Sequence, residues 1–348
     1  MSFLISALSF ILVFIIVALA HELGHFIWAK RAGIHVLEFG IGFGPTIFKV
    51  NYKDTLYSVN LIPILAFVRL AGIDEHDSET GIPAEQQYGA KTPAEKFKSI
   101  VAGPLMNIIL GFIIYSVLAM TFGMPQTSNV IAGISDGSPA QKAGIKAGDR
   151  IISFNGKKVA DINLTISEIH KSAGKEVSLS VVRDAKEITF KAVPLYDKDL
   201  KVGLLGFSLQ NSFKRYGPVS ALIEGAKRTW RLSLTIIVVF GRLLTGQIAI
   251  TGLAGPIGIA QFSGQAATQG LASFMSLVAF ISINLGIFNL LPIPALDGGR
   301  LVFILIEAVR KKPFNLEMEN RIHQWGLVVL LGFFAFVSFN DILRIFFK

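Results

Sequence analysis

The sequence predicts a polytopic α-helical membrane protein with four transmembrane helices and a soluble-type domain inserted between the second and third. Three observations carry that expectation. The 348 residues are 52% hydrophobic and only 16% charged, against about 25% charged in ordinary soluble proteins. Four stretches reach the roughly 20 apolar residues that a bilayer requires. Between the second and third, about 70 residues change to short strand-like runs separated by turn signals, and mean hydropathy over the whole chain is still +0.56. The net charge of +9 fits basic residues gathered in cytoplasmic loops. No basic run interleaved with aromatics occurs, so no nucleic-acid partner is expected. The chain has no cysteine, which excludes disulfides and thiolate-bound metal.

The first segment, 1–29, is almost uninterrupted apolar sequence up to Ala20. It has neither the basic start nor the small-residue cleavage site of a signal peptide, so it is expected to be retained. Lys30 and Arg31 follow it, which puts its N-terminus outside and its far end near the cytoplasmic face. Residues 30–96 are expected on the cytoplasmic side. Within them, 36–70 carry Gly40, Gly42, Gly44, Pro45 and Pro63 among alternating apolar positions. That density argues against a spanning helix and for strands. Such a hairpin can dip toward the membrane only where it lines a cavity, because lipid does not tolerate open strand edges. The polar stretch 74–98 reads as a surface loop.

The second span is expected over 97–122, entered from a basic flank of Lys91, Lys96 and Lys98. Residues 123–195 then read as a small α+β or partly open β domain, with strands near 130–134, 150–154, 177–183 and 187–193 and a helix near 164–172. Residues 196–270 read as an extracytoplasmic region. Its helical stretch, 221–244, carries Lys227, Arg228, Arg231 and Arg242, a pattern that suits a helix lying in the membrane interface better than one crossing it. The third span falls in 271–310 and is interrupted by Pro292 and Pro294. Arg310, Lys311 and Lys312 mark its cytoplasmic side, and the fourth span, 322–347, returns outward.

Chemistry concentrates at His21-Glu22-Leu23-Gly24-His25. Residues four apart share a helix face, so both imidazoles can hold one zinc ion, with Glu22 beside it as general base on a water. HExxH alone arises by chance in roughly one sequence of this composition in a few hundred. Its place in an apolar span sharpens it, because ionisable groups at membrane depth are costly and mark functional sites. A catalytic zinc takes three protein ligands and leaves one position open. Asp297, followed by Gly298 and Gly299, is the leading third ligand; the competing reading is a helix N-cap. Asn284 and Asn289 could hydrogen-bond between helices, or hold a substrate carbonyl or oxyanion near the metal. Asn289 is the nearer to Asp297. Asn107 reads as an interhelical hydrogen bond, and His35, His76, His170 and His323 read as surface or packing residues.

Taken together, HELGH at 21–25, GFG-P at 42–45, AGPLMN at 102–107 and NLLPIPALDGG at 289–299 resemble the site-2 protease family of intramembrane zinc metalloproteases, nearest its bacterial RseP-type (regulator of sigma-E protease) members. The stretch 138–159 is similar to a bacterial PDZ domain, and the members known best carry two such domains where one is found here. The resemblance implies His21, His25 and Asp297 as zinc ligands, Glu22 as the base, and Asn289 and Asn284 as substrate-positioning residues. It also implies that 36–70 form a membrane-re-entrant β-loop, with Gly42 and Gly44 in the part that pairs with an unwound substrate. The implied activity is hydrolysis of peptide bonds within or near transmembrane segments, at the cytoplasmic side of the inner membrane. The implied partners are the lipid bilayer and single-pass membrane proteins already cut once by another protease, anti-sigma factors and signal-peptide remnants among them. The alternative from another class is an inactive membrane adaptor that uses its PDZ-like domain. A zinc permease would have no need of a glutamate between paired histidines.

Overall fold

A computed structural model describes residues 3–73, 81–197, 201–248 and 254–346. The chain forms two compact units, one of Met1–Met120 with Gly217–Lys348 and one of Thr121–Tyr216. His76 and part of the expected 74–98 loop lie outside the described residues.

The first unit begins with α1 (Phe3–Arg31). Two long strands follow, β1 (Val36–Tyr52) and β2 (Thr55–Leu70), so the glycine- and proline-rich stretch is extended as expected. Lys53 and Asp54 join them with φ of 46° and 59°, the two left-handed residues of a tight hairpin turn. Gly42 and Gly44, at φ of 81° and 90°, bend β1, so each strand contributes two extended segments. Phe39, Gly40 and Ile41 each face two partners, one from 66–68 and one from 57–59. Segment 62–70 therefore lies at one edge of this small sheet and 46–52 at the other.

Next comes α2 (Pro93–Thr121), which starts four residues before the expected 97. The reason is local. Glu95 accepts from the Thr92 backbone N–H at 2.9 Å, and the Thr92 hydroxyl accepts from the Glu95 N–H at 3.3 Å, a reciprocal capping box. Ala29, Ile34, Val36, Leu70, Tyr88 and Ile100 form one buried cluster with Leu301 and Ile304, which ties the hairpin to three helices of the unit.

The second unit contains β3 (Met124–Ile134), α3 (Pro139–Lys142), β4 (Arg150–Phe154), β5 (Lys157–Lys158), α4 (Ile162–Lys171), β6 (Val177–Arg183), β7 (Lys186–Ala192), β8 (Leu195–Asp197), β9 (Val202–Leu204) and β10 (Phe207–Lys214). Its main sheet runs β10-β3-β4-β6-β7, with β5 on β4. The expected boundary at 195 is corrected to Tyr216. Leu205 joins the buried core, and β10 pairs with β3 from Phe207 opposite Ile134 to Lys214 opposite Met124. The chain thus enters and leaves the unit through adjacent strands. Asp149 anchors the interior: its side chain is 1% exposed and accepts from Arg183 Nε at 2.7 Å.

Back in the first unit are α5 (Pro218–Leu244), α6 (Pro256–Thr268), α7 (Leu271–Leu290), α8 (Asp297–Arg310) and α9 (Leu316–Phe346). The described residues of the expected single region 196–270 are therefore divided among the end of β8, β9, β10, α5 and α6. Among the described residues, four helices are long and apolar enough to cross a membrane: Phe3–Arg31, Pro93–Thr121, Leu271–Leu290 and Glu317–Leu343. Four such helices is the number expected, although the third ends at Leu290 and the fourth begins at Glu317. Between α7 and α8 the third segment breaks at Leu291–Leu296, where two prolines remove backbone donors.

Candidate metal centre

His21 and His25 lie one turn apart on α1 and are both buried. Their Nε2 atoms are 3.2 Å apart, with the rings edge to face. Asp297 Oδ2 stands 3.1 Å from His21 Nε2 and 3.4 Å from His25 Nε2. The three atoms form a nearly equilateral triangle, each supplied by a side chain whose position the sequence singled out.

Helix α2 makes room for this triangle and orients it. A Cβ on Gly103 would collide with the His25 ring, and one on Gly24 would collide with the Ala102 carbonyl. The two helices therefore cross where each has no side chain, as membrane helices do at small residues. His25 Nδ1 donates to the Ser99 carbonyl at 2.8 Å. Its proton is thereby fixed on Nδ1, and the Nε2 lone pair faces the triangle. His21 Nδ1 is 3.2 Å from the Asn107 side-chain amide, while Asn107 Oδ1 is buried without a hydrogen-bond partner. The two ends of an asparagine amide are equal in shape. Turning Oδ1 toward His21 satisfies it with the His21 Nδ1–H, and both rings then present Nε2 in the same way. Sequence reasoning took Asn107 for helix-to-helix bonding. The signal for its role was its spacing from Gly103: four residues place them on one face of α2.

The donor set fits a zinc ion. A tetrahedral ion with ligand distances of about 2.0–2.1 Å holds its ligand atoms about 3.3 Å apart, and the three separations here bracket that value. Asp297 Oδ2 is buried with no hydrogen-bond donor. An anionic oxygen facing two imidazole lone pairs needs a cation between them. Three ligands leave a fourth position for water or substrate.

Asp297 is the first residue of α8, and Leu296 precedes it in the capping position without a side-chain cap bond. The N-cap reading of Asp297 is thus not realised, and its carboxylate turns to the histidines instead. The following glycines allow this. A Cβ on Gly298 would strike the Leu291 carbonyl, and one on Gly299 would lie 2.6 Å from the Ile293 carbonyl. Glu22, beside His21, has its carboxylate directed at the backbone N–H of Val68. Val68 belongs to segment 62–70, so that segment borders the centre.

The remaining expected residues divide. Asn289 is buried at the C-terminal end of α7, just before the break that leads to Asp297. The Asn284 amide donates to the Phe280 carbonyl of its own helix at 2.8 Å. The Gly42 carbonyl accepts from Asn60 at 3.0 Å, and Gly44 borders open space. Among the described residues His21, His25 and Asp297 are the group that could hold a metal ion, so His35, His170 and His323 stand apart from it.

Comparison with known proteins gives the same reading. The model of peptidase family M50 matches residues 9–333. The chain is 33% identical to the regulator of sigma-W protease RasP of Bacillus subtilis over 99% of this chain and 100% of that protein. It is equally identical to the zinc metalloprotease RasP of Bacillus licheniformis, over 98% of this chain and 99% of the relative. A putative zinc metalloprotease of Clostridium acetobutylicum is also 33% identical, over 95% and 96%. Among solved structures, the PDZ domain of an SdrC-like protein from Listeria monocytogenes covers 23% of this chain and 84% of its own, at 24% identity and a TM-score of 0.21. With a family match that runs from α1 into α9 and takes in every residue of the triangle, this chain belongs to peptidase family M50.

Proposed function

We propose that this protein is a zinc-dependent intramembrane endopeptidase that hydrolyses peptide bonds within or near transmembrane segments of its substrates. The observation that carries the reading is the Nε2–Nε2–Oδ2 triangle with Glu22 beside it, assembled from α1 and α8 and buttressed by α2. His21, His25 and Asp297 would hold the zinc, which would supply Lewis acidity toward a carbonyl and a water. Glu22, beside His21, is the base that would accept a proton from the attacking water and give it to the leaving amine. His25 Nδ1–H is held by the Ser99 carbonyl, and Asn107 beside His21 Nδ1 serves that ring in the same way, so both Nε2 atoms face Asp297 Oδ2. Asn289 holds the substrate carbonyl or the developing oxyanion.

A helical peptide bond is shielded by its own hydrogen bonds, so the substrate must be extended to be cut. The open edge of 62–70, next to Glu22, suits that task by adding the substrate as a further strand. Gly42 and Gly44 bend β1 so that this edge forms, and the open space at Gly44 admits an incoming chain. Positive charge at Lys30, Arg31, Lys91, Lys98 and Arg310–Lys312 supports a centre near the cytoplasmic face. The Thr121–Tyr216 unit, read as PDZ-like, then lies outside together with the N-terminus, and α5 lies along the outer interface. The substrates on this reading are single-pass membrane proteins, such as anti-sigma factors, that another protease has already shortened.

The test compares wild type with Glu22→Gln for zinc content and for cleavage of a model transmembrane peptide. Near one zinc in both, with cleavage by wild type alone, is the expected result. Turnover by Glu22→Gln would remove Glu22 from its role, and zinc-free wild type would sink the metalloprotease reading.

A further inference from the structure

A histidine far from the motif holds the loop that presents Asp297. Ile293-Pro294-Ala295-Leu296 is a tight turn closed by the Leu296 N–H on the Ile293 carbonyl at 3.2 Å. Ala295, its third residue, has φ of +78°. Proline second and positive φ third define a type II turn, whose third position calls for glycine. Alanine there is strained by about 1–2 kcal/mol, so the surrounding structure must hold it. The Ala295 backbone N–H, which such a turn directs outward, donates to Nδ1 of His323 on α9 at 3.0 Å.

His323 fits that task and little else. Accepting at Nδ1 leaves its proton on Nε2, and Nε2 is buried without a hydrogen-bond partner. A buried unpaired polar group costs about 1–3 kcal/mol. The ring packs beside Phe303 at 5.9 Å, where a purely apolar side chain would avoid that cost. One turn further along α9, a Cβ on Gly326 would lie 2.5 Å from Pro294 Cβ. Residues 323 and 326 share a face, so α9 bears on Pro294 through one and on Ala295 through the other. Asp297 follows two residues after Ala295.

We propose that His323 is a positioning residue: its Nδ1 fixes the strained turn at Ala295 and thereby the direction in which Asp297 presents Oδ2 to the metal. This rests on the metal-centre reading above. Loss of a group that orients a metal ligand typically lowers affinity 10–100-fold.

The test is cobalt(II) titration of the full-length protein in detergent, reading both affinity and the visible d–d spectrum, with no substrate present. His323→Leu is expected to bind cobalt at least tenfold more weakly and to shift the spectrum. His323→Asn, whose Oδ1 can stand where Nδ1 stood, is expected to keep both close to wild type and serves as the folded control should the leucine variant fail to fold. Ala295→Gly, which accepts positive φ without strain, is expected to restore much of the affinity to His323→Leu. Wild-type affinity and spectrum in His323→Leu, equal loss in the asparagine and leucine variants, or no restoration by Ala295→Gly would each overturn the inference. A wild-type protein that binds no cobalt would remove the metal-centre reading and this inference with it, an outcome separate from the other three.

Discussion

Gly103→Ala adds one methyl where α1 and α2 cross, and the structure places that methyl against the His25 ring. Backbone on both sides limits relief, because Gly24 already bears on the Ala102 carbonyl. The ring must swing, and its Nδ1–H bond to Ser99, now 2.8 Å, lengthens or breaks. Overpacking of this kind costs about 1–3 kcal/mol of stability. Displacing an oriented ligand costs a further 10–100-fold in metal affinity, or about 1.4–2.8 kcal/mol at 1.4 kcal/mol per tenfold. Gly111→Ala is the control. Gly111 lies two turns beyond Gly103 on α2 and its methyl would collide with Ile283 of α7, so it should cost similar stability and leave metal affinity unchanged. The assay is zinc affinity by chelator competition, with thermal unfolding in detergent measured on the same samples. Equal zinc affinity for the two variants would refute the claim that Gly103 exists to seat His25.

Other consequences are open to measurement. Lys96 Nζ is 2.9 and 3.1 Å from the two Glu307 oxygens, with side chains 6% and 15% exposed. Lys96→Met or Glu307→Leu alone should destabilise the folded protein by about 3–5 kcal/mol, while the double variant should be close to neutral; additive losses in a thermal double-mutant cycle would contradict this. Asp149→Asn should lower the opening free energy of the Thr121–Tyr216 unit, read by hydrogen exchange in the intact chain, by about 3 kcal/mol. Burial works against the Asp149 charge, but the Arg183 hydrogen bond and the Lys146 N–H outweigh it and hold the carboxyl below the usual range. The contribution of Asp149 is therefore complete above the ordinary carboxylate range near pH 4 and fades as pH falls through the lower folded value. An opening free energy that rises as pH falls from 6 to 4 in wild type but not in Asp149→Asn would show the sign to be wrong. Asp297→Ala should abolish stoichiometric zinc binding, whereas Asn284→Ala should leave it within about twofold, since the Asn284 amide is bound to its own helix; zinc retained without Asp297 would point to another third ligand.

The sequence by itself determined the four spans, because apolar runs of this length have few other outcomes, and it named His21, Glu22, His25 and Asp297, because ionisable groups in such runs need a reason. It also marked 36–70 as extended, since glycine and proline at that density break helices. The tertiary structure alone decided how far the inserted unit reaches, because β10 is recognisable only through its pairing with β3 across about 80 residues. Tertiary contacts likewise bring Asp297 Oδ2 within 3.4 Å of two distant imidazoles, a placement that supports the ligand reading over the helix cap. The roles of Gly103, Asn107 and His323 depend on which neighbour occupies a few ångströms of space or presents one N–H, and no periodicity along a chain encodes that.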